Sequence, residues 1–233
     1  YGAEDPRISK IGDVFLITYT ALSQPAFGGD RDGVRIGLAS TKDFETVTRH
    51  GVIGPDRRDK DAVIFPSKFD GRIAMLHRIF PDIQVAWFAG IDELCHPPND
   101  FWPKYIERLA EAIVMSPEQD WEEKKIGMGP TPIETPEGWL LIYHGVDREH
   151  VYRVGLALLD LEDPTRIIAR TKSPVFEPET DYELVGDVNN VVFPEGAVVI
   201  DDVLHMYYGA ADRVIGLAKA NMSDVLAEVL GKR

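Results

Sequence analysis

The sequence has a single cysteine, no long apolar run and far fewer basic than acidic residues. Cys95 alone cannot form an intrachain disulfide framework, which fits a reducing compartment. The longest apolar runs, such as residues 196–200, are much shorter than the roughly 20 residues that a membrane-spanning helix needs. With 25 Lys and Arg against 39 Asp and Glu, the net charge is -14, which is unfavourable for binding a phosphate backbone. We therefore expect neither a membrane nor a nucleic-acid partner.

Signals for targeting and for cofactors are also missing. No basic segment followed by an apolar stretch opens the chain, so the expected location is the cytoplasm. The sequence contains no cluster of residues at metal-ligand spacing and no glycine-rich nucleotide loop, so we expect no metal and no organic cofactor. Cys95 lies in Leu94-Cys95-His96-Pro97, which has no further signature of a nucleophile, and we interpret it as a packing residue.

What the chain does contain is one sequence pattern repeated four times. Each copy opens around a proline, and these residues are Pro6, Pro66, Pro132 and Pro194. They lie 60, 66 and 62 residues apart, which is too long for a helical solenoid and suits a four-stranded propeller blade with its loops. The 233 residues, 44% of them hydrophobic, are enough to bury a substantial core.

Each copy has the same internal order of predicted strands. After the first strand, a polar turn pair precedes a strongly apolar second strand, and a third strand rich in Gly and Ala follows. The predicted turn pairs are Gly12-Asp13, Asp70-Gly71, Glu137-Gly138 and Asp201-Asp202. The second strands are predicted over 14–19, 73–77, 139–144 and 203–208, and the third over 34–39, 85–89, 153–157 and 213–218. Small residues in the third strand are typical of closely approaching neighbours. The pattern predicts an all-β fold of meander blades.

Two segments interrupt the repeats. Residues 101–115 predict an amphipathic helix with Tyr105 and Leu109 on its apolar face, and residues 223–230 predict a short C-terminal helix. The inserted helix would cover a blade edge or contact another subunit, which makes a homo-oligomer a candidate state. Residues 23–33 form a glycine-rich loop that fits a lid or an ordinary surface loop. No low-complexity linker divides the chain, so we predict one domain over 1–233.

Polar side chains at the ends of inner strands are the candidates for a functional site, because a propeller brings such ends together. The candidates are Asp5, Arg7, Lys60, Asp61, His77, Arg78, Lys125, His144, Asp187, Tyr208 and Asp212. Several of the residues considered for a site also have a purely structural explanation. Asp5 fits a turn carboxylate, Arg35 a cross-strand ion pair, His144 a core histidine and Lys125 a lysine of a charged surface run.

Six motifs, in the same order, resemble glycoside hydrolase family 130, which contains the inverting β-mannoside phosphorylases. They are residues 1–7 with Glu-Asp-Pro-Arg, 60–66 with Lys-Asp and Phe-Pro, 75–78, 125–130, 138–145 with Tyr-His-Gly, and 207–212. The resemblance runs to about residue 230 and implies a five-bladed propeller. Members of the family have a further blade before the first motif, so about four blades are expected here.

The resemblance also implies a role for individual residues. Asp5 corresponds to the general acid, which protonates the glycosidic oxygen through a hydroxyl group of the bound mannose. Phosphate would be bound by Arg35, Lys60, Lys125 and His144. Substrate contacts would be Arg7, Asp61, His77, Arg78, Tyr143 and Asp212. The implied reaction converts a β-mannoside, of mannosyl-glucose or manno-oligosaccharide type, and inorganic phosphate into α-mannose 1-phosphate and a shortened sugar.

The residue chemistry agrees with phosphorolysis but leaves alternatives open. An inverting hydrolase needs a second carboxylate to activate water, whereas phosphate is itself an anionic nucleophile and needs cations to hold it. A hydrolase on the same scaffold would use Glu195 or Glu134 as that second carboxylate. A non-catalytic glycan-binding propeller is the third hypothesis. The acceptor sugar and the linkage, 1,4 or 1,2, stay open.

Overall fold

The computed structural model describes residues 2–23 and 33–232. Most of the predicted loop over 23–33, and Tyr1 of the first motif, lie outside the described residues. The chain forms two compact units, Tyr1–Met115 and Ser116–Arg233. Each unit contains two antiparallel sheets, and the prediction of one domain over 1–233 stays a prediction.

The first unit contains two four-stranded sheets in simple meander order. The strands of sheet 1 are β1 (Gly2–Ile11), β2 (Val14–Leu22), β3 (Val34–Thr41) and β4 (Val47–Val52). The strands of sheet 2 are β5 (Lys60–Phe69), β6 (Arg72–Arg78), β7 (Ile83–Phe88) and β8 (Ile113–Met115). Helices α1 (Ile91–Cys95) and α2 (Phe101–Glu107) and a 3-10 helix (Leu109–Ala112) connect β7 to β8.

The second unit repeats this arrangement. The strands of sheet 3 are β9 (Lys125–Met128), β10 (Ile133–Thr135), β11 (Gly138–Val146), β12 (Tyr152–Leu159) and β13 (Ile167–Arg170). The strands of sheet 4 are β14 (Val192–Ile200), β15 (Val203–Ala210) and β16 (Val214–Asn221). The helices are a 3-10 helix (Asp120–Glu122), α3 (Asp181–Leu184) and α4 (Met222–Val229). The fold is therefore all-β, with four propeller-type blades and few helices, and the predicted second and third strands are confirmed.

Every first strand is interrupted near its proline. The register between first and second strand shifts across Pro6 in β1, across Pro66 in β5 and next to Pro194 in β14. Proline has no backbone N–H to donate, so it sits where the ladder is already broken by a bulge. In sheet 3 the interruption is longer, and Pro132 lies between β9 and β10, which both pair with β11. The repeated proline thus marks an irregularity in the strand pairing at the start of each repeat.

The glycines of the third strands lie beneath tyrosine rings of the second strands. A Cβ added to Gly37, Gly155 or Gly216 would lie 2.3, 2.5 and 2.3 Å from Cζ of the tyrosine opposite. The tyrosines are Tyr19, Tyr143 and Tyr208, which are the register partners of these glycines. The predicted close approach is therefore confirmed, and any larger residue would have to displace a packed ring.

The predicted helix over 101–115 is wrong in its second half. The helix ends at Glu107, a 3-10 turn follows, and residues 113–115 form β8, which pairs with β7. Val114 and Met115 are buried, so this apolar run is more stable as the fourth strand of a sheet than as a helix turn. The predicted C-terminal helix is confirmed as α4, shifted by one residue.

Each unit has an apolar cluster built from its own two sheets. Leu16, Ile36, Ile64 and Met75 pack with Trp102 of α2 in the first unit. Cys95 is buried in the same cluster, and burial raises the pKa of its thiol, which agrees with a packing role. Within residues 2–23 and 33–232, no helix is both long and apolar enough to cross a bilayer.

Candidate active site

Asp5 lies at the bulge of β1, where its carboxylate meets a lysine from the neighbouring sheet. Its Oδ2 atom is 2.8 Å from Nζ of Lys60 on β5 and accepts a hydrogen bond from the Thr20 hydroxyl at 3.2 Å. The backbone φ of Asp5 is 53°, which a residue before proline rarely adopts. Strain of this kind is typical of functional sites and is retained only where the surroundings enforce it. The general acid implied by the resemblance therefore has a defined, partly buried position.

Asp61 and Arg78 extend this cluster. Arg78 on β6 has its Nη2 atom 3.0 Å from Asp61 Oδ2, and both side chains are almost fully buried. Lys60 Nζ is also 3.8 Å from Asp61 Oδ1, so the lysine lies between two carboxylates. Asp61, like Asp5, has a positive φ, 58°, at a register shift of its strand. The bulges of β1 and β5 thus bring two acids and two cations together.

The two other arginines predicted in the first unit differ in their placement. Arg7 is buried and donates from Nη1 to the Asp5 carbonyl oxygen at 2.5 Å, so it fixes the backbone of the candidate acid. Arg35 on β3 pairs with the exposed Asp56 at 2.9 Å. Asp56 lies in the loop between β4 and β5, so this ion pair is not the cross-strand pair that the sequence allowed for Arg35, and the phosphate-binding role of Arg35 stays a prediction.

The charges around Asp5 determine its protonation state. Burial alone raises the pKa of Asp5, but the positive charges of Lys60 and Arg7 outweigh burial and the repulsion from Asp61, so the pKa is lowered. Burial likewise opposes the charge of Lys60, while Asp61 and Asp5 together raise its pKa. In the free chain, Asp5 and Lys60 therefore form a carboxylate and an ammonium group at neutral pH.

His77 lies on the core side of β6, opposite to Arg78. Its Nδ1 atom is 2.7 Å from Asp59 Oδ2 and its Nε2 atom is 2.7 Å from the Tyr105 hydroxyl of α2. The side chain is completely buried. Successive strand residues face opposite sides of a sheet, which is why the two neighbours differ. His77 therefore stabilises the docking of α2, and nothing in its contacts supports the predicted role in mannose binding.

We expect Tyr105→Phe to lower the free energy of unfolding by about 1–3 kcal/mol, because Nε2 of His77 would lose its partner in a buried site. Tyr105 also donates to the Val85 carbonyl at 3.1 Å. Urea unfolding at fixed protein concentration measures the change. The matched control is Tyr182→Phe, whose side chain is exposed and should give a much smaller effect. Equal effects of the two variants would contradict the structural role of His77.

In the second unit, Lys125 and His144 share one aromatic neighbour, Tyr152. Lys125 on β9 donates to the Tyr152 hydroxyl at 2.8 Å, and its Nζ atom lies 4.8 Å from the centre of the ring. The buried ring of His144 on β11 stacks on Tyr152 at 5.8 Å and packs against Phe193 at 4.5 Å. The structure thus brings two of the predicted phosphate ligands together. Tyr152 was missed because an aromatic residue at the start of a strand is ordinarily a packing residue.

Tyr143 is placed in a buried network. Its hydroxyl donates to Glu122 at 2.6 Å and accepts from Nε of Arg170 at 3.1 Å. The side chain is completely buried. These contacts give Tyr143 a structural role, and the predicted substrate contact has no support in them.

The remaining candidates lie in the second unit. Asp212 is exposed in the turn between β15 and β16 and has a φ of 52°. Tyr208 is buried and donates to Glu183 at 2.6 Å, whereas Asp187 is exposed. Of the two acids considered for a hydrolase, Glu195 lies at the bulge of β14 and Glu134 is exposed on β10. The role of Asp212 in sugar binding stays a prediction.

The two clusters differ in the chemistry they can perform. The first, with Asp5, Lys60, Asp61, Arg7 and Arg78, can transfer a proton and can bind hydroxyl groups or an anion. The second, with Lys125, His144 and Tyr152, provides a cation beside aromatic surfaces. Among the described residues, no group of three or more His, Cys, Asp or Glu side chains is arranged to hold a metal ion.

Known proteins similar to this chain include characterised mannoside phosphorylases. A family model described as beta-1,4-mannooligosaccharide phosphorylase, of glycoside hydrolase family 130, matches residues 1–230. The 1,2-beta-oligomannan phosphorylase of Thermoanaerobacter sp. strain X514 is 43% identical over 226 residues, covering 96% of this chain and 70% of the relative.

Solved structures that are similar to this chain also include a mannoside phosphorylase. The beta-1,2-mannobiose phosphorylase from Listeria innocua, in complex with beta-1,2-mannobiose, is 34% identical with a TM-score of 0.81 over 99% of this chain and 61% of that one. A further similar structure has the description "The GH130 family of mannoside phosphorylases contains glycoside hydrolases that target beta-1,2 mannosidic linkages in Candida mannan". It is 26% identical with a TM-score of 0.74, over 95% of this chain and 66% of that one. The chain thus spans about two thirds of the length of these relatives.

Proposed function

Because the chain belongs to glycoside hydrolase family 130, we propose that it catalyses the inverting phosphorolysis of β-mannosides to α-mannose 1-phosphate and a shortened sugar. The family match agrees with the resemblance carried by its six motifs. The observation that carries the proposal is the partly buried Asp5 at a strained bulge, surrounded by Lys60, Arg7 and Thr20.

The proposed division of labour requires one acid and several cations. Asp5 gives its proton to a hydroxyl group of the bound mannose, and that hydroxyl protonates the departing glycosidic oxygen. Phosphate attacks the opposite face of the sugar, so no carboxylate is needed to activate water. As the resemblance implies, Arg35, Lys60, Lys125 and His144 bind the phosphate, and Asp61 with Arg78 binds sugar hydroxyl groups. Charges held in position before the reaction stabilise the transition state without reorganisation.

We propose β-1,2-linked mannobiose or oligomannan as the substrate. The relatives from Thermoanaerobacter and Listeria innocua are named for β-1,2 linkages, which supports this choice. The family model is described by β-1,4-linked substrates, so the comparison of the two mannobioses is part of the test. A higher kcat/KM for β-1,4-mannobiose than for β-1,2-mannobiose would contradict the assignment.

We further propose that the four blades belong to a propeller of the five-bladed type. The share of the relatives' length that this chain spans supports it. Sheet 4 supports it too, because it has three strands where the other sheets have at least four, and its β16 exposes Ile215 and Leu217. Exposed apolar side chains on an unpaired edge strand are unfavourable unless another element covers them. We also propose, from the sequence analysis, a cytoplasmic location, no cofactor and a homo-oligomeric state.

The decisive test is whether mannoside cleavage depends on phosphate. We expect β-1,2-mannobiose to be consumed only when inorganic phosphate is present, with release of α-mannose 1-phosphate, followed by ³¹P NMR. Lys125→Ala should raise the KM for phosphate by about tenfold or more, because a charge-assisted contact is lost. The matched control is Lys172→Ala, since the backbone carbonyl and not the side chain of Lys172 makes its contact to Trp121.

Two other results would lead to different functions. Equal cleavage in phosphate-free buffer, lost in Glu195→Gln but kept in Lys125→Ala, would identify a hydrolase that uses Glu195 as its base. Binding of mannobiose by calorimetry with no turnover under any condition would identify a non-catalytic binding protein.

A further inference from the structure

Lys60 occupies a position that no role in binding phosphate alone explains. Its ammonium group lies 2.8 Å from Asp5 and 3.8 Å from Asp61. Four-fifths of both the Lys60 and the Asp5 side chain are shielded from solvent. A lysine that only awaited phosphate would be expected to point into solvent, where an ammonium group is best hydrated.

The ion pair between Lys60 and Asp5 is unfavourable for the proposed role of Asp5 as a general acid. A general acid must carry a proton, and Asp5 in the free chain is a carboxylate because Lys60 and Arg7 lower its pKa more than burial raises it. Both Lys60 and the Thr20 hydroxyl approach the same oxygen, Oδ2. The charged groups that face Asp5 are Arg7 on its own strand and Lys60 and Asp61 on β5. One of these three groups has to change its position or its charge before Asp5 can bind a proton.

Of these three groups, Lys60 is the one whose side chain can move most easily. Arg7 is buried, and its guanidinium group holds the Asp5 backbone carbonyl. Asp61 is buried and has its own ion pair with Arg78 at 3.0 Å, so it keeps a partner when the lysine leaves. Lys60 has a flexible four-carbon stem and is one-fifth exposed. A dianion at hydrogen-bonding distance would attract it more strongly than Asp5 does together with Asp61, because Asp61 is 3.8 Å away and its charge is already balanced by Arg78.

We infer that Lys60 couples phosphate binding to protonation of Asp5, by pairing with Asp5 in the free protein and moving to phosphate when phosphate binds. The inference rests on the proposed function. When the ammonium group leaves, Asp5 takes up one proton from solvent, since burial, Asp61 and the bound dianion together disfavour its negative charge more than Arg7 favours it. That proton is the one Asp5 later gives to the mannose hydroxyl. Asp5 is then protonated, and so able to act as the general acid, only in the complex that contains phosphate.

Coupling of this kind is reciprocal, so it can be measured without turnover. Phosphate titrations by calorimetry in two buffers of different ionisation enthalpy give the number of protons taken up per phosphate bound. The titration of phosphate itself is subtracted with Asp5→Asn, which has no carboxyl group to protonate. We expect the wild-type protein to take up as much as about one proton more than Asp5→Asn near neutral pH.

Lys60→Met is the informative variant, because methionine keeps the stem and removes the charge. We expect the difference in proton uptake between this variant and its Asp5→Asn double variant to vanish, and phosphate affinity to fall by roughly tenfold. The alkaline limb of kcat/KM, which reports the free protein, should move to higher pH because the pKa of Asp5 is no longer held down by Lys60. The control is Lys42→Met, which removes the same charge from an exposed pair with Asp13 and should change neither quantity.

The outcomes separate this inference from the proposed function. Phosphate-dependent turnover together with equal proton uptake in wild type and Asp5→Asn would overturn the coupling and leave phosphorolysis in place. An unmoved alkaline limb in Lys60→Met would overturn it as well. Absence of both phosphate binding and phosphate-dependent turnover in the wild-type chain would overturn the proposed function and the coupling together.

Discussion

Asp5→Asn is expected to reduce the phosphorolysis of β-1,2-mannobiose by about 10²–10⁴-fold in kcat/KM, which is the usual contribution of a positioned general acid. The amide has nearly the shape of the carboxyl group but cannot give the proton. It can still accept the hydrogen bond from Thr20, so the fold of the bulge should be preserved. Lys60 loses its ion pair with Asp5 but keeps Asp61 at 3.8 Å, so thermal unfolding should show a moderate loss of stability and a folded protein at the assay temperature.

The experiment has an internal control in the chain itself. Asp13→Asn makes the same change at an exposed carboxylate of the β1–β2 turn that pairs with Lys42, and it should leave turnover unchanged. A mannoside with an aryl leaving group needs little protonation, so it should restore much of the activity of Asp5→Asn in the presence of phosphate. A variant that loses cleavage of the aryl mannoside to the same extent as that of mannobiose would show that Asp5 does not act as the acid.

The strands and turns of this protein could be predicted because their signals are local. The turn pairs Asp70-Gly71 and Asp201-Asp202 have positive φ at both residues, as tight hairpins between twisted strands require. The predicted pair Glu137-Gly138 is displaced by one residue, since Gly138 already begins β11 and pairs with Thr135. The close approach at the small residues of the third strands could also be predicted, whereas the tyrosine rings that lie opposite them follow from the strand register.

The partners of the buried polar residues could not be predicted in the same way. His77 is bound by residues 18 and 28 positions away, and Tyr143 by Glu122, 21 positions away. The identity of a histidine or tyrosine in a motif does not reveal whether its polar atom contacts a substrate or a buried neighbour. The tertiary fold gives both residues a buried partner, and their predicted contacts to substrate stay predictions. Asp5 and Lys60 differ, because partial exposure leaves them accessible to a ligand.

A buried glutamate supports the tyrosine of the second strand in both sheets of the second unit. Glu122 accepts from the Tyr143 hydroxyl at 2.6 Å, from Nη2 of Arg170 at 2.7 Å and from two backbone N–H groups. Glu183 accepts from the Tyr208 hydroxyl at 2.6 Å and from two backbone N–H groups, without an arginine. In both cases the glutamate closes a capping box at the start of a short helix. The two sites therefore differ chiefly by one buried charge.

That difference predicts a graded loss of stability. Glu122→Ala should lower the free energy of unfolding by roughly 3–5 kcal/mol, because it leaves the buried guanidinium of Arg170 without its main carboxylate partner. Glu118 lies 3.6 Å from Arg170 and is exposed, so it can replace little of the lost interaction. Glu183→Ala removes partners only from neutral donors and should cost about 1–3 kcal/mol.

Urea unfolding of Glu122→Ala, Glu183→Ala and the exposed neighbour Glu123→Ala measures the series, and Glu123→Ala should stay within about 0.5 kcal/mol of wild type. The double variant Glu122→Ala with Arg170→Met removes the stranded charge, so its loss should be smaller than the sum of the two single losses. Acidification should weaken the Glu183 site in particular. Burial raises the pKa of Glu183, but the Tyr208 hydroxyl and the backbone donors lower it further, so its contribution is present at neutral pH and is lost as the pH falls through the folded-state pKa. Additive losses in the double variant would show that Glu122 and Arg170 do not stabilise each other.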